Sequence, residues 1–500
     1  MEEEIKSLFS LFEDISKCSS MVAAADNMYP PTIAFEGRTT TLIVTDECNL
    51  RCTYCYCEKN PEKMTWDTAR DFIEQEFETA AKLHEIPKDK QVAIDHRKVW
   101  EFIGGEPLLE ASLVFRCIDL IERKTSGLHV NHPWKRTDWP CDACGFKHPV
   151  FGYRYMLSTN GLLLNDTSIQ RELLRWVGTD KMHIAVTLDG NHEIHDMCRK
   201  DTEGQGSWDR AMKAWMWLRR YFPSSVQSTK STIAHENLPY ISDLVRFFYD
   251  LQPTNFYLAQ NCVFENVWWQ GDQILLFDQL CEVADFLLEG RKYEKFMVRW
   301  FNLKMFGKST NENNWCGASR YMNSCDHTGA IYPCLRFKHV SLREPYAIGS
   351  ISEGVDIRKL ADLNPGNPIT TSDIQREATG LDCRACPISS LCADCQAGAY
   401  NLLGRLDVKS PFICPMHRAA VFANVYFFGR LSGAISVPND EFKSYLRGLL
   451  EEYTARNYFG YMRDGVPSKP FVLFHTHQYE GDMIDGASSL NFDSSMRLVK

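Results

Sequence analysis

From residue 39 to about 300 the chain alternates short β-rich runs with segments of helical periodicity. TTLIVT (40–45), VWEFIGG (99–105), YRYMLSTNG (153–161), HIAVTLDG (183–190), SVQSTKSTI (225–233) and NFYLAQ (255–260) read as strands. Apolar positions at helical spacing predict helices over about 65–83, 108–123, 166–177, 207–221, 238–251 and 272–289. Repeated β–α alternation predicts parallel strands with crossover helices, and six or so units predict a partial (β/α)6-type barrel within an α/β fold. In such barrels the chemistry sits at the C-terminal ends of the strands. Four of those ends carry cysteine, glycine or polar residues: TDECNLRCTYCYCE (45–58), GGEP (104–107), STNG (158–161) and TLDG (187–190). They are expected to converge on one face.

The flanks follow different patterns. Residues 1–38 precede the first strand, and within them 2–16 read as an amphipathic helix with Ile5, Leu8, Phe12 and Ile15 on one face. The β–α rhythm stops at about residue 300, and residues 301–415 read as a loop-rich second domain in which cysteines return. Residues 416–500 form a C-terminal extension. Its predicted helix at about 440–456 buries Phe442, Leu446, Leu449 and Tyr453. The apolar run AAVFANVYFFG (419–429) is too short to span a membrane and is interrupted by Asn424.

Composition narrows the function classes. The 500 residues carry a net charge of −10, which argues against a nucleic-acid footprint. The acidic N-terminus does not read as a signal peptide, so the expected location is the cytoplasm, with no membrane partner. Nineteen cysteines in that compartment point to metal or redox chemistry rather than to a disulfide set.

Cys48, Cys52 and Cys55 have the spacing C-x3-C-x2-C, and thiolates this close together can wrap one iron–sulfur cubane. Three ligands leave the fourth iron open, whereas a structural zinc site wants a closed set of four. On ligand counting alone, Cys57 could be a fourth ligand. In GGEP, the glycines permit close backbone approach and Glu106 offers an acceptor to an ammonium.

The cysteine motif, GGEP and the β–α rhythm together resemble the radical S-adenosylmethionine (radical SAM) superfamily over about residues 39–300. The resemblance implies that the open iron chelates the amino and carboxylate groups of S-adenosylmethionine. An electron from the cluster then cleaves a carbon–sulfur bond, giving methionine and a 5′-deoxyadenosyl radical that abstracts hydrogen from carbon. It also implies cofactor contacts: Tyr54 to adenine, and Gly104, Gly105, Glu106 and Pro107 to the methionine amino group. Ser158, Asn160, Thr187 and Asp189 are implied at the ribose and carboxylate, with Arg199 at the carboxylate. Cys198, beside Arg199, is a packing residue that could border the pocket.

A second cysteine set comprises a C-x12-G-x4-C element with Cys316, Gly329 and Cys334, then C-x2-C-x5-C-x2-C from Cys383 to Cys395, then Cys414. This resembles the SPASM domain of radical SAM enzymes that mature peptides and proteins, although the last spacing there is usually C-x3-C. The resemblance implies one auxiliary [4Fe–4S] cluster on Cys316, Cys325, Cys334 and Cys395, and another on Cys383, Cys386, Cys392 and Cys414. With the first cluster that makes three. Paired C-x2-C motifs also hold zinc, which is the rival reading. Cys141 and Cys144, near His132 and His148, read as a structural insertion whose C-x2-C/His set could hold zinc, on the face opposite the chemistry.

The expected function is a peptide maturase that cross-links a ribosomally made precursor peptide by a thioether or carbon–carbon bond. Flavodoxin or ferredoxin would be the electron donor. One rival is a sulfatase-maturase-like enzyme that forms formylglycine. That branch places an aspartate directly after the cysteine of the G-x4-C element, where this chain has Leu335. A rival of another class is a non-catalytic iron–sulfur electron carrier. The segment before the first strand is expected to be too short for a full leader-binding domain, and 416–500 is expected to cover the second domain or to help bind a leader.

Overall fold

The structure is a computed structural model. It describes residues 38–84, 97–125, 151–179, 181–265, 268–301, 318, 322–363, 396–433, 435 and 437–458, isolated positions from 382 to 395, and the pairs 462–463 and 466–467. The expected 2–16 helix, Cys316, and Cys141 and Cys144 with His132 and His148 lie outside the described residues.

β-Branched residues dominate β1 (Arg38–Thr45), which pairs in parallel with β2 (Arg97–Gly104). β2 pairs with β3 (Phe151–Thr159), and β3 with β4 (Met182–Val186), both in parallel. A second parallel set comprises β5 (Ser228–Ile233), β6 (Phe256–Cys262) and β7 (Phe296–Val298). One parallel bridge, Thr187 to Lys230, joins the two sets. The helices are α1 (Trp66–His84), α2 (Ala111–Thr125), α3 (Thr167–Leu174), α4 (His192–Cys198), α5 (Trp208–Tyr221), α6 (Ile241–Leu251) and α7 (Asp272–Leu288). This is the expected parallel α/β rhythm.

The differences are local. Pro107 and the Glu106 carboxylate, which accepts from Leu108 N at 3.1 Å, make a 3-10 turn at Pro107–Glu110 before α2 begins. β3 stops at Thr159 because Gly161 turns the chain at φ 88°. α4 was not foreseen. Asn191 caps it by accepting from Ile194 N, and it spans only two turns.

Beyond residue 300 the sheet continues. β8 (Met322–Cys325) lies parallel along the free edge of β1, and β9 (Ala330–Tyr332), β10 (Gly349–Ser350) and β11 (Gly354–Val355) extend it antiparallel. The eight strands run β11-β10-β9-β8-β1-β2-β3-β4. Short helices follow at α8 (Leu335–Lys338), α9 (Ile357–Leu363) and α10 (Gln396–Leu403). Two longer ones follow, α11 (Cys414–Ser432) and α12 (Asn439–Tyr458). α11 contains the apolar run at 419–429 and is buried over nearly all of its circumference, packed against α7 and α12. α12 buries Phe442, Leu446, Leu449 and Tyr453, as its periodicity predicts. No described helix is long and apolar enough to cross a membrane.

A buried polar network fastens the joint between β1, β2 and β8. Glu76 of α1 pairs with Lys98 of β2 at 2.5 Å, and accepts from Thr40 Oγ1 at 3.2 Å and Asn323 Nδ2 at 2.8 Å. Removing one partner leaves the other charge buried and uncompensated. Glu76→Ala is therefore expected to lower stability by about 3–5 kcal/mol in denaturant unfolding, with Glu76→Gln losing less because it keeps hydrogen-bonding capacity.

Candidate active site

The loop after β1 is held from two sides. On one side, Gly105 N donates to Thr45 O and Glu106 N to Glu47 O, each at 2.8 Å. A Cβ on Gly104 would lie 2.1 Å from Thr45 O, and one on Gly105 would lie 2.1 Å from Glu47 O. Gly104 also has φ 150°, so no side chain fits here. On the other side, Arg51 N donates to Lys200 O at 2.7 Å and Thr53 N to Cys198 O at 2.9 Å. The cysteine loop is thus strapped between GGEP and the chain leaving α4.

Glu106 is fully buried at the end of β2. Its carboxylate accepts from Thr159 Oγ1 at 2.7 Å and from Asn160 N at 2.8 Å, in addition to Leu108 N. Burial raises this carboxyl, and the hydrogen bonds from Asn160 and Thr159 offset part of that rise. In the protein alone, Glu106 staples the ends of β2 and β3. Asn160 then reaches the cysteine loop, with Nδ2 2.7 Å from Asn49 Oδ1 and 3.9 Å from Cys48 Sγ.

Cys48 and Cys52 are buried, and Cys55 is partly so. Burial raises the Cys48 thiol, and raises that of Cys52 to about 12 although the Arg199 charge opposes it. Cys55 is held well below the usual thiol range, first by a hydrogen bond from Cys57 and then by the Lys59 ammonium, with Lys59 Nζ 3.2 Å from Cys55 Sγ. Cys57 is itself buried against Ile43 and Leu335. Three sulfurs flanked by two cations suit a group whose ligands are thiolates. Arg199 Nε is buried and makes no hydrogen bond within the protein, so a donor is still available there for an added acceptor. The donor set therefore fits an iron–sulfur cluster with a chelating cofactor.

The other expected cofactor residues lie around this loop. The Tyr54 hydroxyl donates to Asp189 Oδ2 and accepts from Arg199 Nη1, the latter at 2.7 Å. Asp189 Oδ1 accepts from Thr232 N at 2.9 Å. Burial raises the Asp189 carboxyl, while Arg199 and the Tyr54 hydrogen bond oppose the shift. Tyr54, Asp189 and Arg199 thus form one hydrogen-bonded chain between the loop after β1 and the segment after β4. Ser158 Oγ donates to Glu101 Oε1 at 3.0 Å, and Thr187 supplies the bridge to β5. His195, which the sequence reading missed, positions Arg199. Its Nδ1 accepts from Asp189 N at 3.2 Å, so Nε2 carries the proton toward Ser207 Oγ at 3.0 Å, and Ser207 Oγ donates to Arg199 O at 2.8 Å. Burial holds the imidazole neutral. The signal for this role is the H-D-x-x-R run at 195–199.

In the second cysteine set, Cys383, Cys386, Cys392 and Cys414 come together. Burial raises the Cys383 thiol, and the charges of Cys414, Cys392 and Cys386 add to the shift. α12 brings the Tyr453 hydroxyl to 3.0 Å from Cys386 Sγ, and Arg418 stacks 3.9 Å over the Tyr453 ring. Neither contact was foreseen, because the register between α11 and α12 is a tertiary matter. Cys334 directly precedes α8, which carries Arg336, and a Cβ on Gly398 would lie 3.5 Å from Cys395 Cβ and 3.8 Å from Arg336 Nε. Cys325 differs from the implied set. It is fully buried on β8, on the same face as Asn323, and its charged neighbours are Asp326 and Glu76. Strand alternation turns it toward α1.

α8, which directly follows Cys334, clasps the cysteine loop. Leu335 packs on Ile43 and Cys57, Arg336 pairs with Glu265 and lies 4.4 Å over Tyr56, and Lys338 pairs with Asp46.

Residues 42–248 match the radical SAM superfamily. The chain is 20% identical over 373 residues to the cysteine-type anaerobic sulfatase-maturating enzyme of Clostridium perfringens strain 13, covering 69% of this chain and 84% of that protein. It is 22% identical over 373 residues to that of Clostridium novyi, covering 68% and 83%. An uncharacterized protein of Methanocaldococcus jannaschii is 24% identical over 208 residues, covering 41% of this chain and 56% of that protein. Among solved structures, native anSMEcpe with bound AdoMet and Cp18Cys peptide shares the fold, with a TM-score of 0.52 and 16% identity, covering 80% of this chain and all of that one. With its parallel barrel, three-cysteine loop and GGEP turn, residues 42–248 are a radical SAM domain.

Proposed function

We propose that this protein is a radical SAM/SPASM peptide maturase that cross-links a ribosomally made precursor peptide through a thioether or carbon–carbon bond. The observation that carries this reading is the clasp of α8. This helix, which directly follows Cys334, packs Leu335 against Cys57 and lays Arg336 over Tyr56 beside the three-cysteine loop, which supports an auxiliary cluster on this side of the barrel. A substrate radical formed beside the first set then has an electron acceptor nearby. Cys48, Cys52 and Cys55 would hold one [4Fe–4S] cluster, and the bound cofactor supplies a 5′-deoxyadenosyl radical. Glu106, Asn160, Asp189 and Arg199 shape its seat, with Tyr54 bridging the last two. Cys383, Cys386, Cys392 and Cys414 would hold an auxiliary cluster, and Cys316, Cys334 and Cys395 contribute to another. The protein works in the cytoplasm and draws electrons from a flavodoxin or ferredoxin.

A second reading, conversion of a substrate cysteine or serine to formylglycine, is favoured by the names of the two clostridial relatives. The position after Cys334 opposes it, because Leu335 is an apolar packing residue against Ile43 and Cys57.

The deciding experiment uses protein purified and reconstituted without oxygen, then reduced in the presence of S-adenosylmethionine and candidate cysteine-containing peptides encoded nearby. About twelve irons per chain are expected, falling by about four in Cys48→Ala/Cys52→Ala/Cys55→Ala. Methionine and 5′-deoxyadenosine should form in the parent and not in the variant. Their absence from the parent would leave an electron carrier. By mass spectrometry, a cross-linked peptide keeps its sulfur and loses two hydrogens, whereas formylglycine formed from cysteine loses the sulfur.

Three variants test the site itself. Gly105→Ala drives a methyl group into Glu47 O, so it should lose about four irons while keeping the rest. Cys392→Ala should also lose about four irons, whereas Cys325→Ala should keep the parent iron content. Iron and sulfide assays check all three.

A further inference from the structure

Lys59 follows Cys57 by two residues and turns back toward the cysteine loop. Its Nζ donates to Cys55 Sγ at 3.2 Å. Its charge is also felt at Cys48, Cys52 and Cys57. Among the described residues no carboxylate forms an ion pair with it. The other cations near the loop are already engaged: Arg199 by Tyr54 close to Asp189, Lys338 by Asp46, and Arg336 by Glu265. Among the described residues, Lys59 is the cation that hydrogen-bonds a sulfur of this loop.

The charge balance gives this contact a direction. Three thiolates on a doubly positive four-iron core carry one net negative charge, and one-electron reduction makes that two. A fixed ammonium at a ligand sulfur therefore stabilises the reduced state more than the oxidised one. Hydrogen bonds to cluster sulfurs and local net charge are the levers that set such potentials. We propose that Lys59 tunes the cluster held by Cys48, Cys52 and Cys55, raising its reduction potential through the hydrogen bond to Cys55. It is a positioning residue that acts through a ligand. The inference rests on the radical SAM domain and is independent of which bond the enzyme forms.

The test is an EPR-monitored redox titration of the reconstituted enzyme. The signal of this cluster is identified by its loss in Cys48→Ala/Cys52→Ala/Cys55→Ala. In Lys59→Met its reduction equilibrium constant should fall about tenfold, a shift of about 59 mV to more negative potential for one electron. Lys59→Arg, which keeps charge and donor, should stay near the parent value, and the remaining clusters should not move. An unchanged potential in Lys59→Met overturns the proposal, as does an equal shift of every cluster. Loss of about four irons in Lys59→Met but not in Lys59→Arg also overturns it, because Lys59 would then serve assembly rather than potential.

Discussion

The contact on which this protein depends is the one between two backbones: Gly104 and Gly105 against Thr45 to Glu47. Carbonyl oxygens occupy the space where side chains would stand. The approach lets the end of β2 hydrogen-bond to the loop leaving β1, and that loop carries the cysteines. Glu106 continues the same construction one strand further, taking Thr159 and Asn160 into a single buried carboxylate. Burying that charge is costly without such partners. The ends of β1, β2 and β3 are therefore fixed together before any cofactor is considered.

The second constraint is the way residues beyond 300 join the barrel. β8 extends the sheet from β1, and Asn323 enters the Glu76–Lys98 network behind it. On the opposite side, α8 lays Leu335, Arg336 and Lys338 onto the cysteine loop and its surroundings. Sheet pairing fixes the position of the second segment, and the clasp fixes its approach to the catalytic face. Tyr56 lies within this junction, under Arg336 and between Cys55 and Cys57. The electrostatics run the same way, with cations gathered around sulfurs that are expected to carry negative charge. The C-terminal helices close the remaining side, where α11 fills the space beside α7 and α12 lends Tyr453 to the second thiol set.

The strands and helices of residues 39–300 were legible because each has its own periodicity, and because the chemistry falls at strand ends in a parallel α/β barrel. The C-x3-C-x2-C spacing and GGEP were legible because thiol chemistry and close backbone approach each demand particular residues at short range. The shared sheet between β1 and β8 was not legible, since β8 is four residues long and its partner lies more than two hundred positions away. Nor was the turn of Cys325 toward α1, which depends on the register of that pairing. α11 showed no helical stripe because it is apolar on all sides, a pattern that burial explains and periodicity cannot. By itself, then, the sequence determined the parallel barrel, the cysteine loop and the residue types at its rim, all of them set by local spacing. Only the tertiary structure decided which of the later sulfurs gather and how α8 meets the cysteine loop, because those depend on side chains brought together from distant parts of the chain.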